Sequence, residues 1–334
     1  MDVAPKTGLT HPGLAGGMIA EDFNGDGLLD LFTSDSNASG QPHLYLANGR
    51  SGFDDYSKQA GLEGLVGGLN LVSADYDNDG DVDVLVLRGA WMRDQGRHPN
   101  SLLRNDGHGH FTDVTFEAGL GENHWPTQTA AFADYDNDGD LDLYIGNESE
   151  PAQPAPSELF RNNGDGTFTD VAQAAGVTND SYTKGVAWGD IDGDGDMDLY
   201  VSNMAGFNRL YENAGDGTFR DVAEERGVTT PISGFPCWFF DYNNDGKLDL
   251  FAASYGGPQH PPSLADVAGS YLGLRHSGEA MRLYRGDGGG GFEAVAAEEV
   301  SVSTPCPWDP ISGTLTMTVS TTSISARATR TMRG

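Results

Sequence analysis

Cysteine is almost absent from this chain: Cys237 and Cys306 are the only two in 334 residues. That excludes a disulfide framework and any zinc centre built on cysteine. Basic residues are scarce as well, 19 Lys plus Arg against 50 Asp plus Glu, for a formal net charge of −31. So negative a surface repels phosphate backbones and anionic lipid, and the basic residues form no run, so nucleic acid is not an expected partner. No stretch approaches the roughly 18 to 20 consecutive apolar residues that a membrane-spanning helix needs, so no membrane insertion is expected. The first residues, MDVAPKTGLTHPGLAGG, have neither a basic n-region nor an apolar h-region, and no signal peptide is visible. Catalytic signatures are missing too. There is no G-x-S-x-G elbow and no H-E-x-x-H pair, and no Ser/His/Asp spacing repeats, so the chain is not expected to be an enzyme. With 37% hydrophobic residues a packed core is within reach, and acidity alone does not argue disorder.

What is present is repetition. Five segments read DFNGDGLLD from Asp22, DYDNDGDVD from Asp75, DYDNDGDLD from Asp134, DIDGDGDMD from Asp190 and DYNNDGKLD from Asp241, with starts 53, 59, 56 and 51 residues apart. Each is followed by a second phrase, such as SLLRNDGHGHFTDVTFEAGL ending at Leu120 or RLYENAGDGTFRDVAEERGV ending at Val228, with a weaker copy ending at Val300. Between punctuating Gly, Asn and Asp, one unit holds four short strand-like stretches: TKGVAWGD, MDLYVSN, NRLYENA and GTFRDVA. Four strands per unit at this period is the pattern of a β-propeller blade, which buries its faces only against neighbouring blades. The expected fold is all-β, a propeller of four-stranded blades with about five to six blades in residues 1–303.

The Asp-rich loops set oxygen side chains at positions 1, 3, 5 and 9, a bend at the position 6 glycine and an inward carbonyl at position 7. The candidate ligands are Asp22, Asn24, Asp26, Leu28 and Asp30; Asp75, Asp77, Asp79, Asp81 and Asp83; Asp134, Asp136, Asp138, Asp140 and Asp142; Asp190, Asp192, Asp194, Asp196 and Asp198; and Asp241, Asn243, Asp245, Lys247 and Asp249. Hard oxygen donors without His or Cys suit Ca²⁺, and about five sites are expected. An EF-hand would need a bidentate Glu at position 12, where this chain has Thr33, Val86, Ile145, Val201 and Ala252. Asn24 and Asn243 replace aspartate in the first and fifth loops, so weaker binding is expected there.

At these residues the sequence resembles the FG-GAP/VCBS repeat family, whose propellers carry such calcium loops, as in the integrin α-subunit head. The phrase F-x-D-V-x-x-x-A-G-[LV], as in FTDVTFEAGL at 111–120 and FTDVAQAAGV at 168–177, is similar to the ASPIC/UnbV (cartilage acidic protein-like) repeat proteins. So is ADVAGSYLGLRHSGEAMRLYRG at 265–286. The resemblance implies a secreted or surface-exposed calcium-binding propeller, usually of seven blades, used for recognition or adhesion, extracellular, periplasmic or at the cell surface.

Three linkers vary most between repeats, 88–101, 147–158 and 254–281, and all follow equivalent strands, which places them on one rim. Variable loops on a rigid scaffold are where binding specificity is usually carried, and Trp91, Arg93, His260 and Tyr271 are the candidate contacts for a protein or carbohydrate ligand. The alternative to a recognition or adhesion module is a carbohydrate-binding propeller, either a lectin or the scaffold of a polysaccharide-active enzyme. Trp188, Trp238, Phe239 and Phe240 precede Asp loops on innermost strands, where core packing accounts for them better than a sugar-stacking platform. The eight histidines are scattered, and His108 and His110 read as turn substitutions. The segment 304–334 abandons the repeat where a sixth loop is due. A one-base shift of reading frame lets codons 313–319 spell an Asp loop, so this tail is expected to be out of frame and disordered. Met1 falls inside a repeat, so an upstream start that restores missing strands, and possibly a signal peptide, is expected.

Overall fold

The structure, a computed structural model, describes residues 4–11, 13–14, 16–256, 279–295, 300–303 and 316–319. The chain is all-β, with five four-stranded antiparallel sheets, each strand pairing with the next in sequence. The first sheet is β1 (Met18–Glu21), β2 (Asp30–Thr33), β3 (His43–Ala47) and β4 (Phe53–Asp55). The second is β5 (Asn70–Ala74), β6 (Asp83–Leu87), β7 (Ser101–Asn105) and β8 (Phe111–Asp113). The third is β9 (Thr127–Ala133), β10 (Asp142–Asn147), β11 (Glu158–Asn162) and β12 (Phe168–Asp170). The fourth is β13 (Tyr182–Gly189), β14 (Asp198–Met204), β15 (Arg209–Asn213) and β16 (Phe219–Asp221). The fifth is β17 (Gly234–Phe240), β18 (Asp249–Ser254), β19 (Arg282–Gly286) and β20 (Phe292–Ala294). First strands of successive sheets pack side by side, β1 on β5, β5 on β9, β9 on β13 and β13 on β17, which makes the arrangement propeller-like. Of the tail, only β22 (Thr316–Val319) is described, paired with β21 (Val300–Ser303); the rest of 304–334 lies outside the described residues.

The core lies between blades, and strand alternation explains why. In β6 the side chains of Val84 and Val86 join a cluster with Phe23, Phe32 and Leu44 of the first blade, while Leu85 and Leu87 join Leu143, Ile145 and Phe160 of the third. The second strand of a blade is therefore apolar on both faces, because side chains along a strand point alternately to two buried sides. The same split places Leu143 and Ile145 toward the second blade and Tyr144 toward the fourth. No blade has a sealed core of its own.

The D-V-x-x-x-A-G-[LV] phrase is not a strand continuation but a clasp between blades. Asp113 accepts the Thr115 N–H at 3.1 Å and starts a turn in which Ala118 N–H reaches Val114 O at 2.7 Å. In the third blade the same phrase makes one helical turn, Ala172–Ala175. The carbonyl of Ala118 then accepts the Phe168 N–H of the next blade at 2.9 Å, while Val114, Ala118 and Leu120 sit buried in the inter-blade core. Trp188 and Phe239 pack against the core, as expected: the Trp188 ring lies among Tyr135, Tyr144 and Phe219, and Phe239 lies against Tyr200, whereas Trp238 is half-buried with its ring 4.6 Å from that of Phe251.

Candidate functional site

Each Asp loop joins the first strand of a blade to the second. The position 1 aspartate turns both oxygens onto its own loop: Asp75 accepts from Asp79 N–H at 3.1 Å and from Gly80 N–H at 3.0 Å, and Asp134 repeats the pattern with Asp138 and Gly139. Folding a carboxylate inside so short a loop requires two residues at positive φ. Position 6 is always glycine, with φ between 82° and 95° (Gly80, Gly139, Gly195, Gly246, Gly27). Position 4 also needs φ near 57° to 79°, and carries Asn78, Asn137, Asn244 or glycine, the residues that enter the left-handed region at least cost. The position 5 aspartate accepts the position 7 N–H, at 2.9 Å from Asp81 to Asp79 and from Asp140 to Asp138.

The position 9 aspartate is the brace. Asp83 accepts Tyr76 N–H at 3.3 Å on one oxygen and Asn105 N–H of the third strand at 2.8 Å on the other. Asp30, Asp142, Asp198 and Asp249 do the same in their blades. All five are buried.

Carboxylates of positions 1, 3 and 9 converge in the second and third loops (Asp75, Asp77, Asp83 and Asp134, Asp136, Asp142), and those of positions 1, 3 and 5 in the fourth (Asp190, Asp192, Asp194), with one oxygen of each within 4.8 Å of the others. These trios fit a cation, and their own hydrogen bonding says so. Asp77 Oδ1 and Asp136 Oδ1 are buried and have no hydrogen-bond partner. A buried carboxylate oxygen left unpaired among like charges is costly unless something positive reaches it. In the first and fifth loops the position 3 residue is an asparagine that answers its own loop: Asn24 Nδ2 donates to Asp26 Oδ2 at 3.3 Å, and Asn243 Nδ2 to Asp245 Oδ2 at 3.1 Å. Those loops are thus partly neutralised from within.

Electrostatics point the same way. Burial pushes Asp83, Asp142 and Asp198 up to about 7, against the opposing effect of their two backbone N–H bonds. Burial and the neighbouring loop carboxylates likewise raise Asp77, Asp136 and Asp192, with Arg104 beside Asp77 and Arg161 beside Asp136 opposing the rise. A divalent ion among these groups would favour the ionised forms that the protein alone disfavours.

The structure adds contacts between loops. Asn78 donates to Asp140 Oδ1 of the next loop at 2.8 Å, and Asn137 to Asp196 Oδ1 at 2.7 Å. Asp140 and Asp196, expected at position 7 only to offer a carbonyl, therefore use their side chains as links between neighbours. A second link comes from the residue that ends the third strand. Asn105, Asn162 and Asn213 each donate to the position 2 carbonyl of the preceding blade, Phe23, Tyr76 and Tyr135, at 2.8 to 3.0 Å. The recurring N in LLRN, LFRN and LYEN was the available signal.

The first two variable linkers and the described start of the third come together, as a common rim position requires. Trp91 N–H donates to Glu148 Oε2 at 2.7 Å, and Arg97 reaches Pro154 O at 3.3 Å, joining the first linker to the second. The Trp91 ring lies 5.5 Å from Tyr255 at the start of the third linker and 6.2 Å from Phe235. Lys184 Nζ sits 3.2 Å from its centroid and pairs with Glu148, both side chains being fully buried. Burial pulls Lys184 down to about 8 against the favourable charge of Glu148. Beside this plug opens a pocket of about 930 Å³ lined by Trp91, Phe235, Tyr255, Arg88, Gln128 and Asn70. Of the candidate contacts, Trp91 lines it. Arg93 is exposed and lies 3.8 Å from Glu150 instead, and His260 and Tyr271 lie outside the described residues.

Repeated blades with one acidic loop each define a class, and the comparison with known families agrees. Residues 22–86, 90–145, 152–201 and 199–252 match the FG-GAP-like repeat, and the chain belongs to that family. Among individual proteins it is similar to cartilage acidic protein 1 of Mus musculus, 28% identical over 261 residues that make up 72% of this chain and 39% of the relative. The Homo sapiens protein of the same name is 38% identical over 106 residues, 31% of this chain and 16% of the relative. The chain thus spans well under half the length of the curated relatives it matches. Among solved structures, an Agrocybe aegerita lectin that recognises non-reducing terminal N-acetylglucosamine superposes with a TM-score of 0.47 at 20% identity, over 85% of this chain and 67% of that one. The V. cholerae biofilm matrix protein Bap1 gives 0.44 at 15% identity, over 86% and 40%.

Proposed function

We propose that this chain is a calcium-binding recognition or adhesion module of the extracellular space, periplasm or cell surface, in which calcium is structural and the chain performs no catalysis of its own. The observation that carries this reading is the pair of buried, unpartnered oxygens on Asp77 and Asp136, each inside a trio of carboxylates. The side chains at positions 1, 3, 5 and 9 would hold the ion in each loop. Calcium supplies positive charge and tolerates irregular oxygen coordination, and affinities on the order of 10⁻⁴ to 10⁻³ M would suit a module exposed to extracellular calcium. Thermal melting in chelator and in millimolar Ca²⁺ tests it. Each filled site adds about 2.7 kcal/mol at a hundredfold excess over Kd, so a large rise in Tm is expected, with Mg²⁺ much less effective. Indifference to chelator would remove the metal assignment.

The partner is a protein or carbohydrate ligand at the cell surface, engaged on the rim where the linkers meet. The aromatic lining of Trp91, Phe235 and Tyr255 favours the carbohydrate form, because sugar rings stack their apolar faces on aromatic side chains. A glycan array with the wild-type chain and Trp91→Ala separates the two. Sugar binding lost in the variant identifies the pocket as a lectin site, whereas binding to cell-surface proteins with no sugar signal identifies a protein-recognition module.

A further inference from the structure

A second cluster of metal-ligating side chains lies in the first blade, away from the Asp loops. His11, in the segment before β1, His43 at the start of β3 and Asp55 at the end of β4 each offer one ligand atom within 4.8 Å of the other two. His11 Nδ1 is 3.5 Å and His43 Nδ1 3.9 Å from the same oxygen, Asp55 Oδ2. The imidazoles stack with centroids 4.3 Å apart and planes 18° apart, so their Nδ1 edges face one carboxylate together. Tyr45 and Ser57 hydroxyls lie 3.2 Å from His11 Nδ1 and His43 Nδ1, and the cluster opens into a hollow of about 310 Å³ that also includes Gln41 and Lys58.

The repeat provides an internal comparison. The strand position of His43 holds Ser101 in the second blade, Glu158 in the third and Arg209 in the fourth, and the position of Asp55 holds Asp113, Asp170 and Asp221. In the second and fourth blades the aspartate is answered by the Ser101 hydroxyl at 3.0 Å or by the Arg209 guanidinium at 2.7 Å, and in the third the Glu158 carboxylate is held by Asn123 and Asn147. In the first blade neither partner exists. Two imidazoles take their place, one of them brought in from a segment outside the sheet.

We propose that His11, His43 and Asp55 form a binding site for a borderline divalent transition-metal ion, zinc foremost, chemically distinct from the all-oxygen Asp loops. Imidazole and carboxylate donors select Zn²⁺ and its neighbours over Ca²⁺, which prefers oxygen alone. Bonds of about 2.0 to 2.2 Å arranged tetrahedrally place ligand atoms about 3.3 Å apart, so the two nitrogens need to close on Asp55 by only a few tenths of an ångström. His11 is exposed and lies outside the sheet, so closing on Asp55 displaces no strand pairing. Three protein ligands leave a fourth position toward the hollow, open to water or to a carboxylate or imidazole of a partner. The ion would also fasten the segment before β1 to the third and fourth strands.

The test is zinc titration of the full chain kept in excess millimolar Ca²⁺, so that the Asp loops are filled, followed by Co²⁺ substitution read by visible absorption. The expected result is one Zn²⁺ equivalent at micromolar concentration and Co²⁺ bands of nitrogen-ligated, low-coordinate character. His11→Ala and His43→Ser should each weaken zinc by about tenfold or more and abolish the bands, while His108→Ala, a turn histidine, changes neither. His43→Ser installs the residue that the second blade already carries, and unchanged melting in calcium verifies its folding. No uptake at micromolar zinc, uptake abolished by excess Ca²⁺, or equal uptake by the His11→Ala/His43→Ser double variant would each overturn the assignment.

Discussion

Asn162→Ala is expected to be among the most damaging small substitutions in the chain, although Asn162 sits outside every Asp loop. Its side chain is 3% exposed and donates to Tyr76 O of the preceding blade at 2.8 Å and to Leu141 O of its own loop at 3.1 Å, while its Oδ1 accepts Gly164 N–H at 3.1 Å. Alanine removes all three bonds and leaves two carbonyls short of a partner at a seam that water enters poorly. At about 1 kcal/mol per lost bond, with more where a buried acceptor stays unpaired, the cost is about 2 to 4 kcal/mol. Tyr76 is held on both sides, its N–H by Asp83 of the second loop and its carbonyl by Asn162 of the third blade, so the substitution should loosen the second loop as well. Transmission of about 1 kcal/mol would weaken calcium there roughly fivefold. Urea unfolding in saturating Ca²⁺ measures the first effect as a shifted midpoint at unchanged slope, and calcium titration measures the second. Asn163→Ala is the control, since that exposed side chain bonds only to Thr167 and Thr169. If Asn162→Ala costs no more than Asn163→Ala, the blades are not tied through this residue and the account of inter-blade coupling fails.

Calcium binding should release protons. Asp83, Asp142 and Asp198 sit at about 7 rather than 3.8, so between those values the native metal-free chain holds protons that the unfolded chain has lost, and its stability falls as pH rises through that window. Ca²⁺ takes the ionised forms, so filling the second to fourth loops should release on the order of three protons at pH 6 and fewer than one at pH 8, read by calorimetry in buffers of different ionisation enthalpy; a release independent of pH would refute it. Asp138→Ala should lower calcium stoichiometry by one and leave the loops of distant blades filled, because repeat units couple mainly to neighbours; titration showing loss of every site would mean that the ring loads as a unit. Lys184→Met strands the buried Glu148 carboxylate and should cost about 3 to 5 kcal/mol in thermal unfolding, most of it recovered in Lys184→Met/Glu148→Leu; a double variant no better than the single one would show that the pair is not what the plug depends on.

The five sheets and the five loops were legible because each repeat states them twice, once in strand alternation and once in aspartate spacing. The strand stretches chosen in the fourth unit fall within a residue or two of β13 to β16. What the sequence hid are contacts between repeats. The spacing D-x-D-x-D-G-x-x-D describes one loop, so it accounts for Asp136 beside Asp134 but not for Asn137 reaching Asp196 in the next blade, 59 positions on. Register between blades is set by sheet packing, and a motif read in isolation contains none of it. The histidines show the same limit. Counted along the chain, His11 and His43 are 32 residues apart and look scattered, yet both meet Asp55 because one precedes the sheet and the other opens its third strand. Superposing the repeats would have exposed His43, since it stands where the second and fourth blades carry a serine and an arginine that answer an aspartate. In a repeat protein the framework therefore follows from what recurs, whereas individual function is to be sought where one copy departs from the others: Trp91 and the variable linkers on the rim, and the imidazole pair in the first blade.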